Sequence, residues 1–139
     1  IQLLSFIMGL AESLRTCFGK YAKFDGRASR PEFWYFYLFC FIYMFVAGFL
    51  LGMIGASDAA FGGATLILMI PIFIPSIAVA ARRLHDINQS GLWVGAALGL
   101  AFVSVVLPFA GMAGSIINII ILIMCIQSGS KKSNKFGKR

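Results

Sequence analysis

The sequence predicts an all-α fold, a polytopic membrane helical bundle of four transmembrane helices plus an N-terminal amphipathic interfacial helix. Three observations carry this reading. The 139 residues are 60% hydrophobic and only 12% charged, about half the charged fraction of a soluble domain. Mean hydropathy is +0.89. Uncharged runs occupy 33–57, 59–81 and 90–130, each longer than the roughly 18 residues that mark a spanning candidate. One membrane domain over 1–139 is the expected organisation.

The first element is an amphipathic helix over 1–23. Leu3, Leu4, Ile7, Leu10, Ala11, Leu14, Cys17, Phe18 and Tyr21 recur at helical spacing, while Glu12, Ser13, Arg15 and Thr16 fall mainly on the other face. Such a helix lies in the interface or packs on the protein's own cytoplasmic face. No basic n-region or small-residue cleavage site accompanies the apolar start, so a signal peptide is not expected.

Asp25-Gly26 is a turn signal. Ser29 followed by Glu32 is a capping box, and Pro31 suits a first helical turn. The helix so opened is the first span, 33–54. Trp34, Tyr35 and Tyr37 fit an interfacial belt, and Gly48 with Gly52 forms a small-residue packing face. The second span, 60–81, follows a loop free of Lys and Arg. Pro71 and Pro75 lie four apart within it, and each removes an amide donor. Carbonyls near Ile67 and Pro71 are then left for water, for neighbouring helices or for a polar pocket.

Residues 91–127 carry no charge. A single helix of that length would reach about 55 Å, against a hydrocarbon core of about 30 Å. Pro108 and Gly111 mark the break, giving spans at 92–107 and 111–126, with a re-entrant hairpin as the alternative. Gly91, Gly95 and Gly99 form a small-residue stripe, and Gly111 pairs with Ser115. Asn118 is the strongly polar side chain deep in the last span, expected to join helices by a hydrogen bond.

Charge sets the orientation. Arg15, Lys20, Lys23, Arg27 and Arg30 precede the first span, Arg82 and Arg83 follow the second, and a basic tail, 128–139, carries Lys131, Lys132, Lys135, Lys138 and Arg139. The positive-inside rule puts all three regions, and both termini, in the cytoplasm. The net charge of +7 is thereby accounted for by topology and anionic lipid, and no nucleic-acid partner is expected.

The candidate site is the cluster formed where the first span opens and the second closes: Asp25, Arg27, Arg30, Glu32, Arg82, Arg83, His85 and Asp86. Expected pairs are Arg82 with Asp86 along the helix, Arg30 or Arg83 with Glu32, and Arg27 with Asp86. The cluster is either a salt-bridge lock or, through its arginine excess, a site for an anion. Catalysis is not expected. His85 and Asp86 are adjacent and point about 100° apart on a helix, and no Ser or Cys nucleophile stands at a telling spacing. The three cysteines, Cys17, Cys40 and Cys125, are scattered and there is one histidine, so no metal or cofactor is expected. The leading function is a small membrane protein binding anionic lipid headgroups or a membrane protein partner through its cytoplasmic face. Alternatives are a homo-oligomeric channel or transporter subunit, and a lipid-modifying enzyme using His85.

Three stretches resemble a known family: residues 24–34 (FDGRASRPEFW), residues 74–86 (IPSIAVAARRLHD) and residues 90–93 (SGLW), with a weaker echo at Asn134-Lys135-Phe136-Gly137. The chain is similar there to the family catalogued as domain of unknown function 805. The resemblance implies a helical protein of the bacterial inner membrane. It implies no activity, substrate or cofactor. The sequence departs from the family's wording at Pro31, at Ile87-Asn88-Gln89, where a loop arginine is usual, and in a tail without a Pro/Gly-rich stretch.

Overall fold

The computed structural model describes residues 1–138. Arg139, part of the predicted tail, lies outside the described residues. Five helices follow one another: α1 (Gln2–Gly19), α2 (Arg30–Met53), α3 (Asp58–Asp86), α4 (Leu92–Val103) and α5 (Pro108–Ile126). α2, α3 and α5 are long and apolar enough to cross a membrane, whereas α4 has 12 residues.

α2 and α3 are antiparallel neighbours. Glu32 meets Arg82 at one end, Cys40 faces Ser76 midway, and Gly48 approaches Phe61 towards the other end. α2 begins where the capping box places it, with Ser29 Oγ accepting from the Glu32 amide at 3.3 Å and Pro31 in the first turn. The Glu32 carboxylate, however, turns to Arg82. A full charge at hydrogen-bond range attracts it more strongly than a backbone amide does.

α3 is longer than the predicted 60–81 and runs unbroken through Pro71 and Pro75 to Asp86. Its last turn carries the charges. Ser57 caps its start, accepting from the Ala60 amide at 3.3 Å. Ser76 Oγ donates to the Ile72 carbonyl at 2.6 Å, and the Tyr21 hydroxyl reaches the Ile70 carbonyl at 3.4 Å. The carbonyls taken up are therefore neighbours of the predicted Ile67 and Pro71 rather than those two.

α1 crosses α2 steeply. Phe6 and Gly9 meet Tyr35, and Phe18 meets Phe36 and Phe39 edge-on. About 18 Å of α1 thus passes over roughly one turn of α2. Only Ser13 and Cys17 of α1 are buried, and Leu3, Leu4, Ile7 and Met8 remain open.

α4 and α5 form a tight antiparallel hairpin. A Cβ at Gly114 would stand 3.4 Å from Leu100 Cβ and 3.6 Å from the Ala97 carbonyl oxygen, and one at Gly111 3.3 Å from Ser104. The span predicted as 92–107 ends instead at Val103, and α5 starts at Pro108 rather than 111. Pro108 suits a first helical turn because its missing donor costs nothing there. Among the predicted packing glycines, a Cβ at Gly91 would stand 3.1 Å from Ala81 Cβ and one at Gly48 3.7 Å from the Phe61 ring, while a Cβ at Gly52, Gly95 or Gly99 would meet open space among the described residues. The close packing of this hairpin falls to Gly111 and Gly114.

The core gathers at one end of the bundle. Cys17, Ala28, Phe33, Phe36, Val79, Ala80, Leu84 and Cys125 are buried together, with Val94, Ala97 and Ile121. Over the same end folds the segment after α5.

Candidate functional site

α3 ends in Arg82-Arg83-Leu84-His85-Asp86, and every one of these side chains but His85 is buried. A buried charge is tolerated only when it is paired and hydrogen-bonded, and the surrounding elements supply those partners. Asp86 is the hub. Its Oδ1 accepts from Arg27 Nε at 2.9 Å and lies 2.8 Å from Arg27 Nη2, while Oδ2 accepts from Arg83 Nη1 at 2.5 Å. Both carboxylate oxygens are thus engaged by different guanidinium groups.

The arginine excess is absorbed by backbone oxygen. Arg83 donates through Nε and Nη2 to the Cys125 carbonyl, each at 3.2 Å, and through Nη2 to the Gln127 carbonyl. Those carbonyls end α5 and have no intrahelical partner, so a cation is favoured there by hydrogen bonding and by the helix dipole alike. Arg30 adds to the same cap, donating to the Gln127 carbonyl at 3.0 Å and to Ser128 Oγ at 2.9 Å. Arg27 donates to the Lys132 carbonyl at 2.9 Å, to Gly137 at 3.3 Å and to Ser130.

Segment 127–138 is therefore strapped over the cluster. Its Ser130 amide donates to the Asp86 carbonyl at 2.7 Å, and Asn134 Nδ2 to the His85 carbonyl at 2.8 Å. Asn134 and Gly137 pair as an isolated bridge, and Phe136 stacks on the His85 ring with centroids 3.9 Å apart. His85 Nδ1 lies 3.0 Å from the Gly26 carbonyl. A carbonyl can only accept, so Nδ1 carries the proton. The Ala28 amide donates to the Arg82 carbonyl at 3.0 Å. The α2-leading loop and the tail between them satisfy the carbonyls that end α3.

Arg82 stands apart from this network. It pairs with Glu32, and its Nε and Nη2 are buried without a hydrogen-bond partner among the described residues. Cys17 lies beside Glu32, its Sγ 3.9 Å from Oε1. Burial, reinforced by the Glu32 carboxylate, pushes the Cys17 thiol up to about 12, so it is a protonated thiol at neutral pH and a poor nucleophile.

Seven of the eight predicted site residues meet at this end of the bundle. Asp25 does not: it stays exposed in the turn and enters no ion pair among the described residues. Of the expected pairs, Arg27 with Asp86 forms and the others do not. Arg82 pairs with Glu32, not with Asp86, and Arg83 takes Asp86 three residues on. Neither Arg30 nor Arg83 reaches Glu32. On α3, Arg82 and Arg83 are adjacent and point to different sides, Arg82 towards α2 and Arg83 towards α5. From sequence the tail reads only as a basic cytoplasmic segment over 128–139. Ser130, Asn134, Phe136 and Gly129 are contributors that side-chain charge could not indicate, and the family-like Asn134-Lys135-Phe136-Gly137 stretch was the available signal.

Comparison with known proteins gives a consistent picture. Residues 21–138 match the family model described as "Protein of unknown function (DUF805)". Inner membrane protein YhaH of Escherichia coli (strain K12) is 38% identical over 118 residues, covering 84% of this chain and 86% of the relative. Inner membrane protein YhaI of the same strain is 32% identical over 117 residues, covering 84% and 85%. No solved structure matches.

Proposed function

Because the chain belongs to the DUF805 family, whose relatives here are inner membrane proteins, we propose that it is a non-enzymatic inner-membrane protein that presents a basic strap to anionic lipid at the cytoplasmic face. The observation that carries this reading is the grip of Arg27 on the carbonyls of Ser130, Lys132 and Gly137. It fixes the tail backbone while Lys131, Lys132, Lys135 and Lys138 remain exposed.

The lipid contact proposed here differs from the one the sequence suggested. Arg27, Arg82 and Arg83 are 7%, 1% and 0% exposed, too enclosed to touch a headgroup. They act as a lock, and the exposed lysines provide the anion-facing charge. Lys20, Lys23 and Arg30, also exposed, extend the same positive end. The positive-inside rule orients this end to the cytoplasm, next to the anionic leaflet surface.

Native mass spectrometry of the full chain from mild detergent, with added phosphatidylglycerol or phosphatidylethanolamine, tests the proposal. Phosphatidylglycerol should be retained preferentially. Replacing Lys131, Lys132, Lys135 and Lys138 with Gln should reduce that retention at least tenfold, since each surface lysine contributes about 1 kcal/mol towards an anionic membrane. Equal retention of both lipids, or no loss in the lysine variant, would refute it.

A further inference from the structure

A second polar feature lies in the apolar half of the molecule. A cavity of about 210 Å³ opens where α2, α3, α4 and α5 converge, and its polar lining consists of Tyr37, Ser76 and Asn118. Asn118 is seven residues before Cys125, the level at which Arg83 caps α5, and so lies about 10 Å further into the apolar region. Ser76 is satisfied within its own helix. Asn118 spends one amide hydrogen on the Gly114 carbonyl at 3.0 Å. Its Oδ1 and the Tyr37 hydroxyl make no hydrogen bond among the described residues.

An unmet donor or acceptor is costly where lipid tails offer no partner. Here one acceptor and one hydroxyl border the same space. No Asp, Glu, Lys, Arg or His lines it, so nothing there would compensate a charged ligand. Met69 and Phe73 also line an apolar groove along α3, together with Leu66, Ile70 and Ile74. The cavity thus adjoins, at Met69 and Phe73, a groove fit for a hydrocarbon tail.

We propose that this cavity binds an uncharged, ring-headed amphiphile, its head hydroxyl set between Tyr37 and Asn118 and its tail along α3. A cavity of about 150 Å³ is enough for benzene, so the larger one here suits a ring with a polar substituent. A phenolic hydroxyl matches the lining: it accepts from the Tyr37 hydroxyl and donates to Asn118 Oδ1.

The test uses the full chain in nanodiscs with 4-decylphenol as the probe and decylbenzene, which lacks only the hydroxyl, as its comparison. Occupancy is read by native mass spectrometry across a titration. The phenol is expected to bind at least threefold more tightly than decylbenzene. Tyr37→Phe and Asn118→Leu should each weaken it roughly three- to tenfold, as for loss of one buried neutral hydrogen bond, with helical circular dichroism unchanged. Equal binding of both probes by the unmodified protein would overturn the proposal without recourse to any variant. So would undiminished binding in both variants. A dimer-to-monomer shift in Asn118→Leu with probe binding intact would assign Asn118 to a second copy of the chain and overturn it as well.

Discussion

Asp86 bridges two buried arginines with one carboxylate, an oxygen for each. Its Oδ2 also sits where a Cβ at Gly129 would stand, 1.8 Å from that position. Carboxylate oxygens normally swing aside, but this one is held by Arg83 and enclosed on all sides. Asp86→Ala should therefore destabilise the protein by about 3–5 kcal/mol, the range for leaving a buried charge uncompensated. Gly129→Ala should cost about 1–3 kcal/mol through overpacking. Unfolding in a mixed-micelle denaturant series measures both, and a Gly129→Ala protein as stable as the parent would refute the steric account. At this scale the sequence made the charges and the Arg27–Asp86 pair legible, but not the remaining partners. Arg83 bonds backbone carbonyls of α5 and Arg27 bonds those of the tail. Carbonyls are present at every residue, so no pattern of side chains announces which ones will be chosen.

Among the elements, α2 was the most readable. Ser29, Pro31 and Glu32 mark its start, and the helix begins there. Ser29→Ala should cost about 1 kcal/mol by removing the acceptor for the Glu32 amide. The same unfolding series checks this, and a loss below a few tenths would mean that the Arg82–Glu32 pair alone holds the helix start. Hydropathy falls at Arg82 and ends the predicted span at 81, while the helix itself continues to Asp86, where its last carbonyls find donors. Those donors come from Ala28, Arg27, Ser130 and Asn134, far away in sequence. α4 stopped early for a local reason. Residues 104–106 turn, with the Val105 and Val106 amides bonding three residues back, so that α5 can return tightly against α4 through Gly111 and Gly114.

The molecule as a whole has two unequal arms rising from one polar platform. Arg83 of α3 bonds Cys125 of α5, which sets both helices at a common level. From there α3 extends 25 residues to Asp58 and α5 only 17 to Pro108. At about 1.5 Å per residue, the α4–α5 hairpin falls short of the α2–α3 loop by roughly 12 Å. A membrane fitted to the long arm is expected to enclose the tip of the short one. With the native cysteines replaced by alanine, Ser57→Cys should react with an impermeant maleimide from the periplasmic side. Ser133→Cys should react only after the cytoplasmic side is opened, and Val105→Cys should resist in both cases. Ready labelling of Val105→Cys from the periplasm would instead make α4 and α5 complete crossings. The sequence foresaw the paired return of the chain, since basic residues flank both ends of 91–127. It left the depth open between two full spans and a re-entrant hairpin, because that depth depends on where α5 is tethered to Arg83.

The grip of Arg27 on the tail has a further consequence. A guanidinium that seizes the oxygens of Ser130, Lys132 and Gly137 recognises a main-chain path and is indifferent to what hangs from it. Apart from Lys135, whose Nζ stands 5.0 Å from the Phe136 ring centroid, the outward lysine side chains of the strap play no part in that grip. Their charge, length and number can be rewritten at little structural cost, provided that Gly129, Asn134 and Phe136 keep the path in place. The polar end is thus a socket of fixed shape carrying an interchangeable outer surface.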